Sequence, residues 1–281
     1  MTIECVVNVS EGRDQGLLAE LADATGTAAL LDVHKDPDHH RSVFTLAGEA
    51  EEVTTAVSEL ARASVALLDL RTHQGVHPRQ GVLDVVPFVP YRPGELPSHD
   101  LEIVVPQRDA FARWLSATLG VPTFLYGPLP GGGHRTLPQL RRHAFGDIAP
   151  DFGPNHPHPT AGATAVGART VLVAYNVWVS SLEVAHTVAP LVRGPGVRAL
   201  GLAVGERAQV SCNLVDPAQV GPAQAYDAVR RLVEEAGGTV GGAELVGLLP
   251  EAILRAVPGS RWPELGLGTE KTVEARLGQS A

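Results

Sequence analysis

Arg71-Thr72-His73-Gln74-Gly75-Val76-His77-Pro78-Arg79-Gln80-Gly81-Val82-Leu83-Asp84-Val85-Val86-Pro87-Phe88 changes character half-way along. Residues 71–81 hold two histidines, two arginines, two glycines and a proline. Gly75, Pro78 and Gly81 rule out a regular helix there. Residues 82–88 then read as a buried strand carrying one acid, Asp84. A polar loop of restricted conformation thus delivers His77 and Arg79 to the entrance of a core strand, where chemistry tends to sit. A structural loop, with His and Arg bonded to backbone carbonyls, is the other reading. The segment by itself leaves both open.

That strand closes a pattern. Residues 3–8 alternate and are rich in valine, so they predict a strand. The turn Ser10-Glu11-Gly12-Arg13-Asp14 leads to a helix over 15–24. Strands follow over 28–33 and 42–46, with a charged loop, 34–41, between them. A long helix over 49–68 has Glu49, Glu51 and Glu52 in its first turn, at the positive end of its dipole. Val53, Val57, Leu60, Ser64 and Leu67 give it a mostly apolar stripe. The order is β-α-β-β-α-β, the split-βαβ arrangement. A Pro/Gly connector over 91–99, a helix over 106–120, a strand over 121–126, a glycine run over 127–133 and a short helix over 137–143 with Arg141 and Arg142 come next. Residues 151–162 hold three prolines and two glycines and fit nothing regular. They are a linker or a shaped binding loop.

The second half repeats the order: strand 170–179, helix 181–193, strands 197–204 and 208–215, helix 222–236 and strand 239–246. Terminal helices are expected over 250–257 and 269–278. The expected fold class is therefore α+β, with two tandem ferredoxin-like domains, 1–169 and 170–281. Each is expected to have a sheet covered on one face by helices.

Composition narrows the function. The 281 residues are 44% hydrophobic and 19% charged, as in a globular protein. A net charge of −9 argues against nucleic acid or an anionic membrane as the main partner. Only two of the 22 basic side chains are lysines, Lys35 and Lys271, so any anion site is built largely from arginine, which suits planar carboxylates. Cys5 and Cys212 lie far apart beside apolar strands and read as free buried thiols in a reducing cytosol. Met1-Thr2-Ile3-Glu4-Cys5 lacks the basic and long apolar regions of a secretion signal. No apolar run approaches the ~20 residues of a membrane span. A cytoplasmic protein is expected.

Ten of the 11 histidines precede residue 159. Three clusters stand out: His34 with His39 and His40, His73 with His77, and His156 with His158. Histidine moves protons near neutral pH. A metal reading is weak, because the Gly/Pro context removes the helix that would place His73 and His77 on one face. Gly131-Gly132-Gly133 lacks the Lys-Ser/Thr of a phosphate-binding loop, and no Gly-x-Gly-x-x-Gly follows a strand. No metal or nucleotide cofactor is expected. Ser10 and Ser211 lack the context of an activated nucleophile, as do Cys5 and Cys212.

Several stretches together resemble the formiminotransferase domain family. They are Glu4-Cys5-Val6-Val7-Asn8-Val9-Ser10-Glu11-Gly12, Leu31-Asp32-Val33 with Arg41-Ser42-Val43-Phe44-Thr45, and Gly75-Val76-His77-Pro78-Arg79 with Gly81-Val82-Leu83-Asp84. Further along are Val121-Pro122-Thr123-Phe124-Leu125-Tyr126-Gly127, Asp151-Phe152-Gly153-Pro154, and Gly162-Ala163-Thr164 with Gly167-Ala168-Arg169. Gln209-Val210-Ser211 with Asn213-Leu214, and Glu244-Leu245-Val246-Gly247-Leu248-Leu249-Pro250, extend the likeness to about residue 250. The resemblance implies transfer of a formimidoyl group between N-formimidoyl-L-glutamate and tetrahydrofolate, in histidine degradation. It implies two subdomains with a ligand cleft between them, tetrahydrofolate as co-substrate, and a homodimer. The family's catalytic histidine falls on His77. Its folate loop falls on Gly153, Pro154, Asn155, His156, Pro157, His158, Pro159, Thr160, Ala161 and Gly162. No cyclodeaminase half follows, so the resemblance implies that ammonia elimination is done elsewhere, with a separate cyclodeaminase as a candidate partner. The chain departs from the pattern at His40, where Asn is usual, at Ala144, and along the folate loop at His156, His158 and Ala161. The alternatives are another folate-dependent one-carbon transferase and a non-catalytic folate-binding protein.

The implied chemistry attacks an amidine-like carbon with an amine. One residue with a pKa near ~6.5 can deprotonate the nucleophile and then protonate the leaving nitrogen. His77 is expected to be that residue. A protonated formimidoyl group is cationic and calls for a carboxylate, with Asp84 and Asp32 as candidates. Arg41, Arg79 and Arg169 are candidates to clamp substrate carboxylates.

Overall fold

The structure is a computed structural model that describes residues 1–26, 29–76 and 78–280. The chain divides into two compact units, Met1–Tyr91 with Ser98–Arg169, and Arg92–Pro97 with Thr170–Gln279. The chain is mixed α and β, with two sheets.

The first unit begins with β1 (Thr2–Val9), α1 (Gln15–Ala24), β2 (Leu30–Asp36), β3 (Arg41–Glu49), α2 (Ala50–Leu67) and β4 (Leu83–Pro90). The start of the strand expected over 28–33 lies outside the described residues. The charged stretch read as a loop over 34–41 is shorter, because β2 runs on to Asp36 and β3 begins at Arg41. On α2 the residues Val53, Val57, Leu60 and Ser64 are buried, and Leu67 packs against the same core.

α3 (Val105–Leu119), β5 (Thr123–Pro128), β6 (His134–Arg135), α4 (Leu137–His143) and β7 (Thr164–Ala168) follow. The sheet has seven strands in the order β2-β3-β1-β4-β7-β5-β6. β1 pairs antiparallel with β3 and β4, whereas β7 runs parallel to both β4 and β5. The glycine run over 127–133 turns β5 back into the β6 pairing.

Two expectations fail here. β7 was not foreseen as a strand. It reads Thr-Ala-Val-Gly-Ala and is buried at every position, so it shows no alternation. Helices also lie on both faces of the sheet. Val86, Phe88, Leu125 and Val166 join the core with α1, α2 and α3, while Val85, Phe124, Tyr126 and Ala165 pack with Leu140 of α4. Parallel strands covered on both faces are the usual arrangement, and the eight residues of β4 are all buried.

The second unit contains β8 (Val173–Val179), α5 (Leu182–Val192), β9 (Val197–Val204), β10 (Arg207–Leu214), α6 (Pro222–Glu235) and β11 (Val240–Val246). The strand expected from residue 170 starts at Val173. The sheet is antiparallel with the order β11-β8-β10-β9. Tyr175, Val177, Val210, Cys212 and Leu214 are buried from the sheet, as are Val188 of α5 and Val229 and Val233 of α6. α7 (Glu251–Arg255) and α8 (Val273–Ser280) end the chain.

Candidate active site

The loop between α2 and β4 is stitched to the end of the 151–162 segment. Val82 donates its amide to Ala161 O at 3.0 Å, Ala163 to Gln80 O at 2.9 Å, and Leu70 to Thr160 O at 2.8 Å. The Ser10 hydroxyl donates to Gly81 O at 2.8 Å. Gly81 and Gly162 face each other across an antiparallel bridge. A Cβ on Gly81 would lie 2.2 Å from Ala163 O, and one on Gly162, whose φ is +73°, would lie 2.2 Å from Gln80 O. Only glycines let the two backbones meet this closely. Gly162→Ala is therefore expected to cost about 1–3 kcal/mol through its left-handed backbone and the clash. Urea unfolding checks this, and an unchanged midpoint would show that the seam yields freely.

The segment's last turn is closed. His158 and Gly162 exchange backbone hydrogen bonds of 2.8 and 3.0 Å. His158 Nδ1 accepts from the amides of Ala161 at 3.0 Å and Thr160 at 3.3 Å. Ala161 and Gly162 are buried, Gly153, Asn155, His156, Pro157 and Pro159 are exposed, and Pro154, His158 and Thr160 are half-buried. The exposed stretch is what a ligand can meet.

Asp84 anchors the seam. In the β1–β4 pairing Asn8 faces Val85 and Val9 faces Leu83, which leaves Asp84 as the extra residue of a bulge. Its side chain is fully buried. Oδ2 accepts from Arg41 Nη1 and from Arg141 Nη2, each at 2.7 Å. Oδ1 accepts from the Gln80 amide at 2.8 Å. Burial by itself would raise the carboxyl, but Arg41 and Arg141 outweigh it and hold the group down at about 2. Arg41 Nε also donates to Asn8 Oδ1 at 3.1 Å, and Arg141 Nη1 to Pro78 O at 3.1 Å.

Arg79 fixes the other side of the loop. Its Nη2 donates to His39 O at 2.9 Å and its Nη1 to His40 O at 3.1 Å. Gly75 fits beneath, where a Cβ would lie 2.3 Å from His39 O. Glu11 Oε1 accepts from the amides of Gly12, Arg13 and Asp14 at 2.8, 2.7 and 2.9 Å, shaping the turn before α1.

The structure thus brings Arg41, Asp84, Arg79 and the 153–162 segment to one end of the first sheet. His77 lies outside the described residues, between the positioned Gly75 and Pro78. Arg169 follows the opposite end of β7 from Gly162, roughly 20 Å away at the usual strand rise. Burial pushes the Tyr126 phenol up to about 12, against a hydrogen bond from Arg169. Among the described residues, no group of three or more His, Cys, Asp or Glu side chains is placed to hold a metal ion. Among the same residues, no helix is long and apolar enough to cross a membrane.

The family model for the formiminotransferase domain, N-terminal subdomain, matches residues 2–169, more than half of the chain. The chain belongs to the formiminotransferase family. Two similar formiminotransferase relatives are glutamate formimidoyltransferases. That of Streptococcus pyogenes serotype M1 is 34% identical over 275 residues, covering 90% of this chain and 90% of that protein. That of Thermoplasma acidophilum is 32% identical over 276 residues, covering 90% and 89%. The formimidoyltransferase-cyclodeaminase of Sus scrofa is 36% identical over 282 residues, covering 90% of this chain and 51% of that protein. The chain spans about half the length of the formimidoyltransferase-cyclodeaminases it matches.

Two functional candidates of this chain were not singled out from sequence. Arg141 was visible only as a charge on a short helix, because its partner lies 57 residues earlier. Glu11 did carry a local signal, an acid just ahead of the polar turn Gly12-Arg13-Asp14.

Proposed function

We propose that the chain is a glutamate formimidoyltransferase, moving the formimidoyl group between N-formimidoyl-L-glutamate and tetrahydrofolate in histidine degradation. The observation that carries this reading is likeness to two glutamate formimidoyltransferases along nine tenths of their length. The seam between the His77 loop and the 153–162 segment supports it, since catalysis and folate binding would need those loops side by side. In this reading residues 1–169 and 170–281 are two ferredoxin-like subdomains, and the protein is cytoplasmic and homodimeric.

In the proposed reaction the folate N5 attacks the formimidoyl carbon, forming one N–C bond as the bond to the glutamate nitrogen breaks. His77 takes the proton from N5 and delivers it to the departing nitrogen. Asp84 is neutralised by two guanidinium groups, so it acts on Arg41, Arg141 and Gln80 rather than on the cationic formimidoyl group. The exposed residues of 153–162 are the candidate contacts for folate, while Arg79 holds the loop through both Nη atoms.

The test is turnover of purified protein with tetrahydrofolate and either formimidoyl- or formyl-glutamate, beside calorimetry of tetrahydrofolate alone. Formimidoyl transfer is expected to exceed formyl transfer by at least ~10-fold, a discrimination of about 1.4 kcal/mol. Equal or greater formyl transfer would overturn the donor, binding without turnover the enzyme reading, and no binding the folate reading.

A further inference from the structure

The proposed chemistry uses His77 but not the two histidines packed beside its loop. His40 and His73 are stacked, with ring centroids 4.0 Å apart and planes at 29°. His40 occupies the turn between β2 and β3 with a φ of +48°, a conformation that His and Asn tolerate better than most residues. Each ring meets a donor at Nδ1. The Gly12 amide donates to His40 Nδ1 at 3.2 Å. Arg79 Nη1 lies 2.6 Å from His73 Nδ1 and 2.7 Å from Nε2. A guanidinium stays charged and has no acceptor, so His73 Nδ1 must accept. Nε2 lies 2.9 Å from the His40 carbonyl, to which it donates when Nδ1 accepts. This set of bonds exists only while both rings are neutral.

The surrounding charges point the same way. Glu11 Oε1 is 3.5 Å from His40 Nδ1, but it is already accepting from three amides. Burial, then Arg13 on the turn before α1 and Arg79 on the loop, oppose a proton on His40, with Glu11 favouring one. Burial, Arg79 and His40 lower His73 to about 4, against the His40 carbonyl and Glu11. On the β2–β3 turn, Asp36 is engaged by His39 at 2.6 Å.

We propose that His40 and His73 are a positioning pair, two stacked neutral imidazoles that with Arg79 clamp the loop on either side of His77 onto the β2–β3 turn. Only the kinetic consequence rests on the transfer reading above. Protonating His73 would place a second cation against Arg79, remove the Nδ1 acceptor and release the loop. The sign follows from His73 lying below its ordinary ~6.5. The clamped state binds fewer protons than the released one, so the clamp is fully present above ~6.5 and is lost as pH falls through about 4.

Histidine-ring NMR titrations of the full chain, with amide exchange of residues 73–79, test the pair in wild type, His40→Asn and His73→Phe. Asn keeps the left-handed turn and a short acceptor but removes the stack. Phe keeps the stack but removes both nitrogens. In wild type, His73 is expected to stay neutral until pH nears 4. His40→Asn should raise the His73 proton affinity about tenfold and speed loop exchange by at least as much. His73→Phe should speed that exchange too. In His40→Asn, kcat should fall about tenfold with KM within about threefold. An ordinary titration of wild-type His73, or His40→Asn leaving both titration and exchange unchanged, overturns the proposal. If the wild type transfers no formimidoyl group, titration and exchange still decide the pair, and the failure belongs to the assigned reaction.

Discussion

Replacing Asp84 by alanine is expected to destabilise the first unit by about 3–5 kcal/mol, the usual cost of removing one partner from a buried ion pair. The reason lies in what remains. The Asp84 side chain has no exposure and the Arg41 side chain only 10%, so Arg41 cannot turn to water when its partner goes. Arg141, at 21%, sits nearer solvent and loses less. The Gln80 amide also loses its acceptor. A fall of roughly 6–20 °C in the thermal midpoint is the corresponding observable. Combining Asp84→Ala with Arg41→Leu should recover part of that loss, because no buried charge is then uncompensated. A midpoint within 2 °C of wild type for Asp84→Ala alone would show that water reaches the Arg41 guanidinium and that the cluster is not the anchor described.

The same carboxylate sets an acid limit. Its folded pKa, about 2, lies below the ordinary carboxylate value of ~3.9. Its stabilisation is therefore present above ~4 and is lost as pH falls through about 2. Asp84→Asn removes that dependence, so its acid unfolding should be shallower between those limits.

What the sequence made legible is what periodicity records. The stripe on α2 and the alternation of β1 follow from one buried face each, and a helix or strand with one buried face shows its period. β7 has two buried faces and five residues, so it has no period to show. The bulge that re-aims Asp84 is equally silent, since an inserted residue changes register without changing composition. Asp84 and Arg41 were both recognisable as candidates for meeting substrate, yet their engagement with each other depends on a contact across 43 residues. His40 and His73 looked like members of separate clusters for the same reason. The glycines at 81 and 162 were visible as turn formers, whereas their meeting is a property of the folded chain alone.

The last expectation concerns His77, whose place in the reaction is the core of the proposed function. His77→Ala should lower kcat/KM for formimidoyl transfer by about 10²–10⁴, the range for losing a general acid–base group, while tetrahydrofolate affinity stays within about threefold. The variant is informative because the backbone on either side is held without the His77 side chain. Gly75 is packed against the His39 carbonyl, Pro78 O accepts from Arg141, and Arg79 holds two carbonyls of the β2–β3 turn. An alanine at 77 therefore leaves the loop anchored, and a loss in rate reports the missing imidazole rather than a displaced loop. Added imidazole should restore part of the rate if the ring's task is to move a proton, and its effect should follow the fraction of free base. The pH profile supplies a further check. Wild-type kcat should require a neutral base on its acid side, and that limb should vanish in the residual activity of the variant. Transfer within a few-fold of wild type would remove His77 from the mechanism. The proton would then have to move through solvent or a substrate group, because the ring nitrogens of His73 are already engaged by Arg79 and the His40 carbonyl.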